Sequence, residues 1–385
     1  MSHYIGLMSG TSLDGVDGVL IDWADGDASA LRSSAHVHAP FSTPVRQELL
    51  ALNTPGDNEL HRAALAGNAL AQAYAQVVAA LLRETGLAAR EIAALGAHGQ
   101  TVRHRPGEFD GLGYTVQLLN GALLAELTGI DTVCDFRSRD VAAHGQGAPL
   151  VPAFHAAAFS TSTHDVAVLN LGGIANLSLL SADGNVRGFD CGAANVLMDL
   201  WCQRHHGTAY DVDGAWAATG QVLPRLLQAL LTEPFLHKAP PKSTGRDLFN
   251  AAWLDAQLHR SGLVEPAPPE AWARDVMATL LEFTAQTARD ALLREARVTR
   301  ELLVCGGGAF NTSLMRRIAA LLPSVTVAST AQRGVPPDQV EAMAFAWLAS
   351  AFVQGRASNV PAVTGAAGAR VLGALYPGAR AGSSG

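Results

Sequence analysis

Gly10-Thr11-Ser12-Leu13-Asp14-Gly15 is a run of small and hydroxylated residues around one carboxylate. Backbone N–H groups in such a turn can cradle phosphate oxygens, because glycine lets the chain approach closely, and Asp14 can hold a Mg2+ shell. The run lies between two apolar stretches, residues 4–8 and 16–23, which both read as strands. The unit is therefore strand, glycine-rich turn, strand. A Walker loop needs Lys-Ser/Thr and a helix after its glycines, and the dinucleotide fingerprint also opens a helix. Neither pattern is present. A tight hairpin that needs positive φ and binds nothing accounts for the same residues, and taken alone it is the stronger reading.

Other residues invite the same weighing. Gly172-Gly173 falls between apparent strands at 166–171 and 175–180. Gly306-Gly307-Gly308 follows a strand at 302–305 and leads into a helix through residue 322. A helix N-terminus offers unpaired N–H groups, and glycines let an adenine or ribose lie flat on the backbone. Close strand-to-helix packing explains a lone glycine triplet equally well. Asp190 sits in a glycine-containing loop just past a strand at 186–189, a suitable place for a general base. Capping the helix at 196–206 is an even alternative. Glu341 opens a helix at 339–352, where complementing the helix dipole is its ordinary role. Residues 242–246, Lys-Ser-Thr-Gly-Arg, read as either a basic loop over a site or a solvated turn.

Elements must position these groups. Helices are expected at 59–84, 120–128, 224–231 and 272–296, the last with Val276, Leu280, Phe283, Thr287 and Ala291 on one stripe. Short strands are expected at 92–97, running into His98, and at 115–118 and 132–136. Each half of the chain thus opens with a hairpin whose turn is glycine-rich. This internal repetition predicts an α/β protein of two similar domains facing a central cleft. Residues 1–136, completed by 356–385, form the first domain; residues 137–355 form the second. With 385 residues, 49% of them hydrophobic, the chain can bury two cores. The net charge of −7 argues against nucleic acid as a partner. The start lacks the charged segment of a signal peptide, and apolar stretches such as 69–82 read as too short to span a bilayer. Four scattered cysteines without metal spacing read as reduced thiols, so the expected location is cytoplasmic.

The three-loop order resembles the superfamily of sugar kinases, actin and heat-shock chaperone ATPases, with its ribonuclease H-like domains. Within it, the chain closely resembles the anhydro-N-acetylmuramic acid kinase family. The resemblance rests on Gly6-Leu7-Met8-Ser9-Gly10-Thr11-Ser12-Leu13-Asp14-Gly15, His98-Gly99-Gln100-Thr101, Phe136-Arg137-Ser138-Arg139-Asp140, Asn170-Leu171-Gly172-Gly173, Gly188-Phe189-Asp190, Gly306-Gly307-Gly308-Ala309-Phe310-Asn311 and Glu341-Ala342-Met343. It departs at Cys191-Gly192-Ala193-Ala194, where the family usually has Thr-Gly-Pro-Gly, and at His144, commonly glycine. Related sugar kinases carry Asp where this chain has Asn170.

The resemblance implies that water opens the 1,6-anhydro ring of the sugar while ATP phosphorylates O6, yielding N-acetylmuramic acid 6-phosphate and ADP with Mg2+. It implies Asp190 and Glu341 as catalytic residues. ATP contacts fall on Gly10, Thr11, Ser12, Leu13, Asp14, Gly15, Val16 and Asp17, on Gly172 and Gly173, and on Gly306, Gly307, Gly308 and Asn311, with Asp14 toward the metal. Substrate contacts fall on His98, Thr101, Arg137, Arg139 and Asp140, one arginine taking the lactyl carboxylate. A homodimer with no membrane partner is also implied. An ordinary sugar kinase acting on a free hydroxyl, and an actin-like or chaperone-type ATPase, remain the alternatives.

Overall fold

The computed structural model describes residues 2–10, 13–23, 31–263 and 270–379. Among the described residues, thirteen strands lie in three sheets. In chain order they are β1 (Ser2–Met8), β2 (Gly15–Trp23), β3 (Arg32–Pro40), β4 (Ile92–Ala97), β5 (Gln100–Pro106), β6 (Gly113–Leu118), β7 (Thr132–Cys134), β8 (Val166–Leu171), β9 (Ile174–Leu180), β10 (Val186–Ala193), β11 (Glu301–Cys305), β12 (Thr326–Ser329) and β13 (Ala374–Tyr376). The chain divides into two units, Met1–Ala158 with Gln339–Gly385, and Phe159–Asp338.

The first unit carries the sheet β13-β7-β4-β1-β2-β3 and the separate hairpin β5-β6. β1 and β2 pair antiparallel, with Met8 opposite Asp17, while β1 runs parallel to β4. Both faces of this sheet are covered. A side chain at Gly18 would strike Val77 of the helix Glu59–Thr85. One at Gly6 would strike the Ala342 backbone of the helix Val340–Val353. Gly6 lies opposite Val19, so Gly18 points to the other face and the two helices pack on opposite sides. Such double coverage explains why β1 and β4 are nearly continuously buried instead of alternating.

The second unit carries β10-β9-β8-β11-β12. β8–β9 and β9–β10 are antiparallel, and β8–β11 and β11–β12 are parallel. Counting strands within each sheet, both share the order 3-2-1-4-5 with strand 2 reversed, and the first sheet adds β13 as a sixth strand antiparallel to β7. The long helix Glu270–Glu295 buries Val276, Leu280, Phe283, Thr287 and Ala291 as its stripe predicts. It buries Thr279, Glu282 and Thr284 as well, so this helix is enclosed on most sides.

Several expectations are corrected. Residues 137–158 and 339–355 lie in the first unit, because the helix Val340–Val353 packs on β1 and β4. The helix Glu59–Thr85 is, by length and composition, long and apolar enough to cross a membrane. Its apolar face instead covers β2 and β3, with Tyr74 fully buried. β10 continues through Asp190 to Ala193, so the carboxylate sits within a strand and not in a loop beyond one. The glycines at 306–308 do not open a helix directly. A single 3-10 turn, Gly307–Phe310, intervenes before the helix Thr312–Leu321.

Candidate functional site

In the first unit the β1–β2 turn is closed by the Leu13 N–H donating to the Gly10 carbonyl at 3.2 Å, with Leu13 at a φ of 56°. Thr11 and Ser12 lie outside the described residues. The Leu13 and Val16 side chains are buried in the core, so only their backbone is available to a ligand. Gly15 is glycine because a Cβ would collide with the Ala39 carbonyl of β3. Asp14 is exposed. Asp17 is held by His36 at 3.2 Å and His38 at 3.0 Å. Burial works to raise its pKa, but these two hydrogen bonds prevail and hold it low.

A polar group gathers behind this turn. His98 is 5% exposed, and both its ring nitrogens are engaged, one by the Ser9 carbonyl and one by Arg137. It has no nitrogen left for a sugar hydroxyl, which corrects its assignment as a ligand. Arg137 is half-buried; burial lowers its pKa to about 10 against the pull of Glu341 and Asp140. Asp140 is fully buried and accepts from Asn359 at 2.7 Å, Thr364 at 2.9 Å and the Gly147 N–H at 2.8 Å. It organises the 140–147 segment and has no surface for substrate, a second correction. Arg139 is exposed, and among the described residues no ion pair joins it to Asp140. Thr101 accepts from Gln117 at 3.1 Å on the β5–β6 hairpin. Glu341 begins its helix with solvent access, yet the surrounding protein desolvates the carboxylate and raises its pKa. Arg137 opposes that rise, and Asp17 and Asp14 add to it.

In the second unit Asp190 stands at an irregularity of β10, opposite Asn176. β10 is an edge strand, and the 242–244 segment fastens onto it. The Asp190 N–H donates to the Lys242 carbonyl at 3.1 Å, and Asp190 Oδ2 accepts from the Thr244 N–H at 2.9 Å. Lys242 is itself pinned, donating to the Phe235 and Leu236 carbonyls. The basic segment is thus part of the carboxylate's setting and not a free turn. Burial raises the Asp190 pKa to about 6, with Thr244 and Lys242 restraining the rise. A carboxylate poised there can accept a proton from water near neutral pH.

The glycines of this unit sort into two kinds. Gly306, at a φ of 77°, and Gly308 are needed because a side chain at either would collide with Leu171, and at Gly306 also with Asn170. Gly172, Gly173 and Gly307 have no such need: a Cβ at each would meet nothing closer than 3.8 Å, and none has positive φ. The space beside each is open, although the Gly172 carbonyl accepts from the Asn195 N–H and the Gly173 carbonyl from the Ala194 and Val196 N–H groups. Asn195 links them. Its N–H donates to the Gly172 carbonyl at 3.0 Å and its Nδ2 to the Leu171 carbonyl at 2.9 Å, and Nδ2 is the nearest atom to a Cβ at Gly307. The Asn311 Oδ1 accepts from the Leu314 N–H and caps the helix Thr312–Leu321. Its side chain therefore works first for the fold.

Sequence reasoning missed Asp199, half-buried on the helix Asn195–His205, whose pKa burial raises to about 7 against the nearby Arg246. Its place one helical turn after Asn195 was the available signal.

Two sheets that share the order 3-2-1-4-5, each with a glycine-bearing turn after its first strand, define the ribonuclease H-like, or actin-like, ATPase fold. Residues 2–378 match the family described as anhydro-N-acetylmuramic acid kinase, and the chain belongs to that family. A relative from Variovorax paradoxus of that name is 59% identical over 379 residues, spanning 97% of this chain and 98% of its own. Another from Pseudomonas putida is 52% identical, spanning 98% of this chain and all of its own.

Proposed function

We propose that this chain is an ATP-dependent kinase that opens the 1,6-anhydro ring of 1,6-anhydro-N-acetylmuramic acid with water and phosphorylates O6. The products are N-acetylmuramic acid 6-phosphate and ADP, which places the reaction in the recycling of cell-wall sugars. Family membership over nearly the whole chain supports the substrate. The observation that carries the mechanism is Asp190, a carboxylate raised to about 6 and fixed by the Thr244 N–H.

Asp190 takes the proton from the water that attacks the anomeric carbon. The departing O6 is captured by the γ-phosphate, so no second carboxyl is required to protonate it. Glu341 helps to position that water or the metal. Arg137, half-buried and held in one orientation, suits the lactyl carboxylate better than exposed Arg139. The open space beside Gly172, Gly173 and Gly307 takes the nucleotide, with the Gly10–Asp17 turn contributing to the phosphates.

No group of three or more metal-ligating side chains occurs among the described residues. That suits Mg2+, which keeps several waters and binds through one or two carboxylates and the phosphates, Asp14 being the carboxylate here. When bound, the ion neutralises charge on the transferring phosphoryl group. A cytoplasmic homodimer completes the reading.

Turnover in 18O-labelled water tests it. The label is expected at C1 of the phosphorylated sugar, with none in phosphate. Label in inorganic phosphate with the sugar untouched would establish a simple ATPase instead. Turnover of N-acetylmuramic acid in preference to the anhydro sugar would establish an ordinary sugar kinase.

A further inference from the structure

A buried imidazole must satisfy both nitrogens or leave a costly orphan. The His98 ring lies against Phe345, with centroids 4.8 Å apart. Its Nδ1 is 3.1 Å from the Ser9 carbonyl, which can only accept, so Nδ1 carries the proton. Nε2 is then a bare acceptor, and Arg137 donates to it from Nε at 3.2 Å and from Nη2 at 3.0 Å. Nη1 of the same guanidinium donates to the Gly147 carbonyl at 2.8 Å. Of five N–H groups, three are spent. One remains on each terminal nitrogen, two charged donors for a carboxylate.

The other end of the ring is tied to the first turn. Ser9 Oγ bonds the Tyr74 hydroxyl at 2.8 Å and donates to the Gly99 carbonyl at 3.0 Å. Gln100 Nε2 donates to the Gly10 carbonyl at 3.1 Å. Residues 98–100 therefore hold the Ser9–Gly10 backbone on one side and Arg137 on the other.

We propose that His98 is a positioning residue: as a neutral, Nδ1-protonated imidazole it spans from the Ser9 carbonyl to Arg137 and aims the two free N–H groups at the carboxylate of an acidic sugar. This rests on the reading of Arg137 given above. Desolvation, reinforced by the Arg137 charge, pushes the ring pKa down to about 3 and keeps Nε2 bare. A second ring proton would set an N–H against the guanidinium.

Two variants of the full chain separate the ends of the ring. His98→Asn keeps a donor where Nδ1 stands and deletes the acceptor for Arg137. His98→Gln keeps an acceptor near Nε2. The Asn variant is expected to raise KM for 1,6-anhydro-N-acetylmuramic acid about tenfold or more, the size of one charged hydrogen bond, with KM for ATP and Tm little changed. The Gln variant is expected to restore most of the loss. In the wild type, 15N spectra are expected to show His98 as the Nδ1–H tautomer. An Nε2–H or doubly protonated ring at neutral pH would overturn the proposal even if neither variant folds. So would an Asn variant with unchanged sugar KM, or one that raises both KM values equally. Wild-type assays against the lactyl-free anhydro sugar keep the two readings apart. Equal use of both sugars overturns the role of Arg137, whereas a preference for the acid together with an unaffected Asn variant overturns the role of His98 alone.

Discussion

As the proposed base, Asp190 must lose its own proton before it can take one from water. Its pKa is raised to about 6 by burial, so the active ionised form fills as pH rises through that value. Single-turnover rates are expected to fall about tenfold per pH unit below 6 and to level off above it, as for a single essential base. The same shift has an opposite sign for stability. A raised folded-state pKa stabilises fully below the unfolded value near 4, and that contribution is lost as pH climbs through 6. Asp190→Asn is thus expected to lose roughly two or more orders of magnitude in turnover while melting no lower than the wild type at pH 8. Near-normal turnover in this variant would remove Asp190 as the base. Gly307 offers a complementary test, since a Cβ there meets no atom within 3.4 Å. Gly307→Val is expected to leave Tm within about 2 °C and to weaken ATP binding about tenfold or more, with sugar binding spared. A lowered Tm with equal loss of both ligands would mean that the residue serves packing.

Elements show which glycines the fold itself demands. Gly96 of β4 faces the Phe345 backbone of the helix Val340–Val353 so closely that any Cβ would collide with its carbonyl. Gly96→Ala is expected to cost about 2–3 kcal/mol as strand and helix are forced apart, lowering Tm by at least ~4 °C in thermal melts. An unchanged Tm would show that this helix can shift freely. The periodic elements were legible in sequence: β4 and β8 fall where the apolar runs predicted, and so does the helix Pro224–Leu231. β3 and β12 were not, because β3 is largely polar and half-exposed and β12 spans only four residues. Their pairing partners create them, not their own pattern. The extension of β10 through Asp190 has the same origin: it needs β9 beside it and the 242–244 segment along its edge.

On the scale of the whole molecule, the units differ in how the chain supplies them. Phe159–Asp338 is continuous and has its own core, from Leu169 and Trp201 to Phe283 and Leu314. The other unit is assembled from two stretches, because the helix Val340–Val353 covers the face of β1 and β4 that Gly6 and Gly96 keep flat. A fragment of residues 159–338 is therefore expected to fold alone, with a cooperative urea transition by circular dichroism. Residues 1–158 without the C-terminal stretch are expected to show none. A cooperative transition in the shorter N-terminal fragment would contradict the part given to that helix.

The sequence by itself determined the α/β class, the repeated hairpin with its glycine-bearing turn and the family. These follow from local pattern: apolar runs of strand length, glycines between them, and motifs in a set order. Only the tertiary structure decided how each polar side chain is used. His98 and Asp140 read as ligands in sequence, yet they are consumed by Ser9, Arg137, Asn359, Thr364 and Gly147, most of them far away along the chain. The sorting of the glycines also waited for three dimensions, since whether a Cβ would collide depends on neighbours brought in by folding. A residue type states which bonds it can make, and packing decides which of those remain for a ligand.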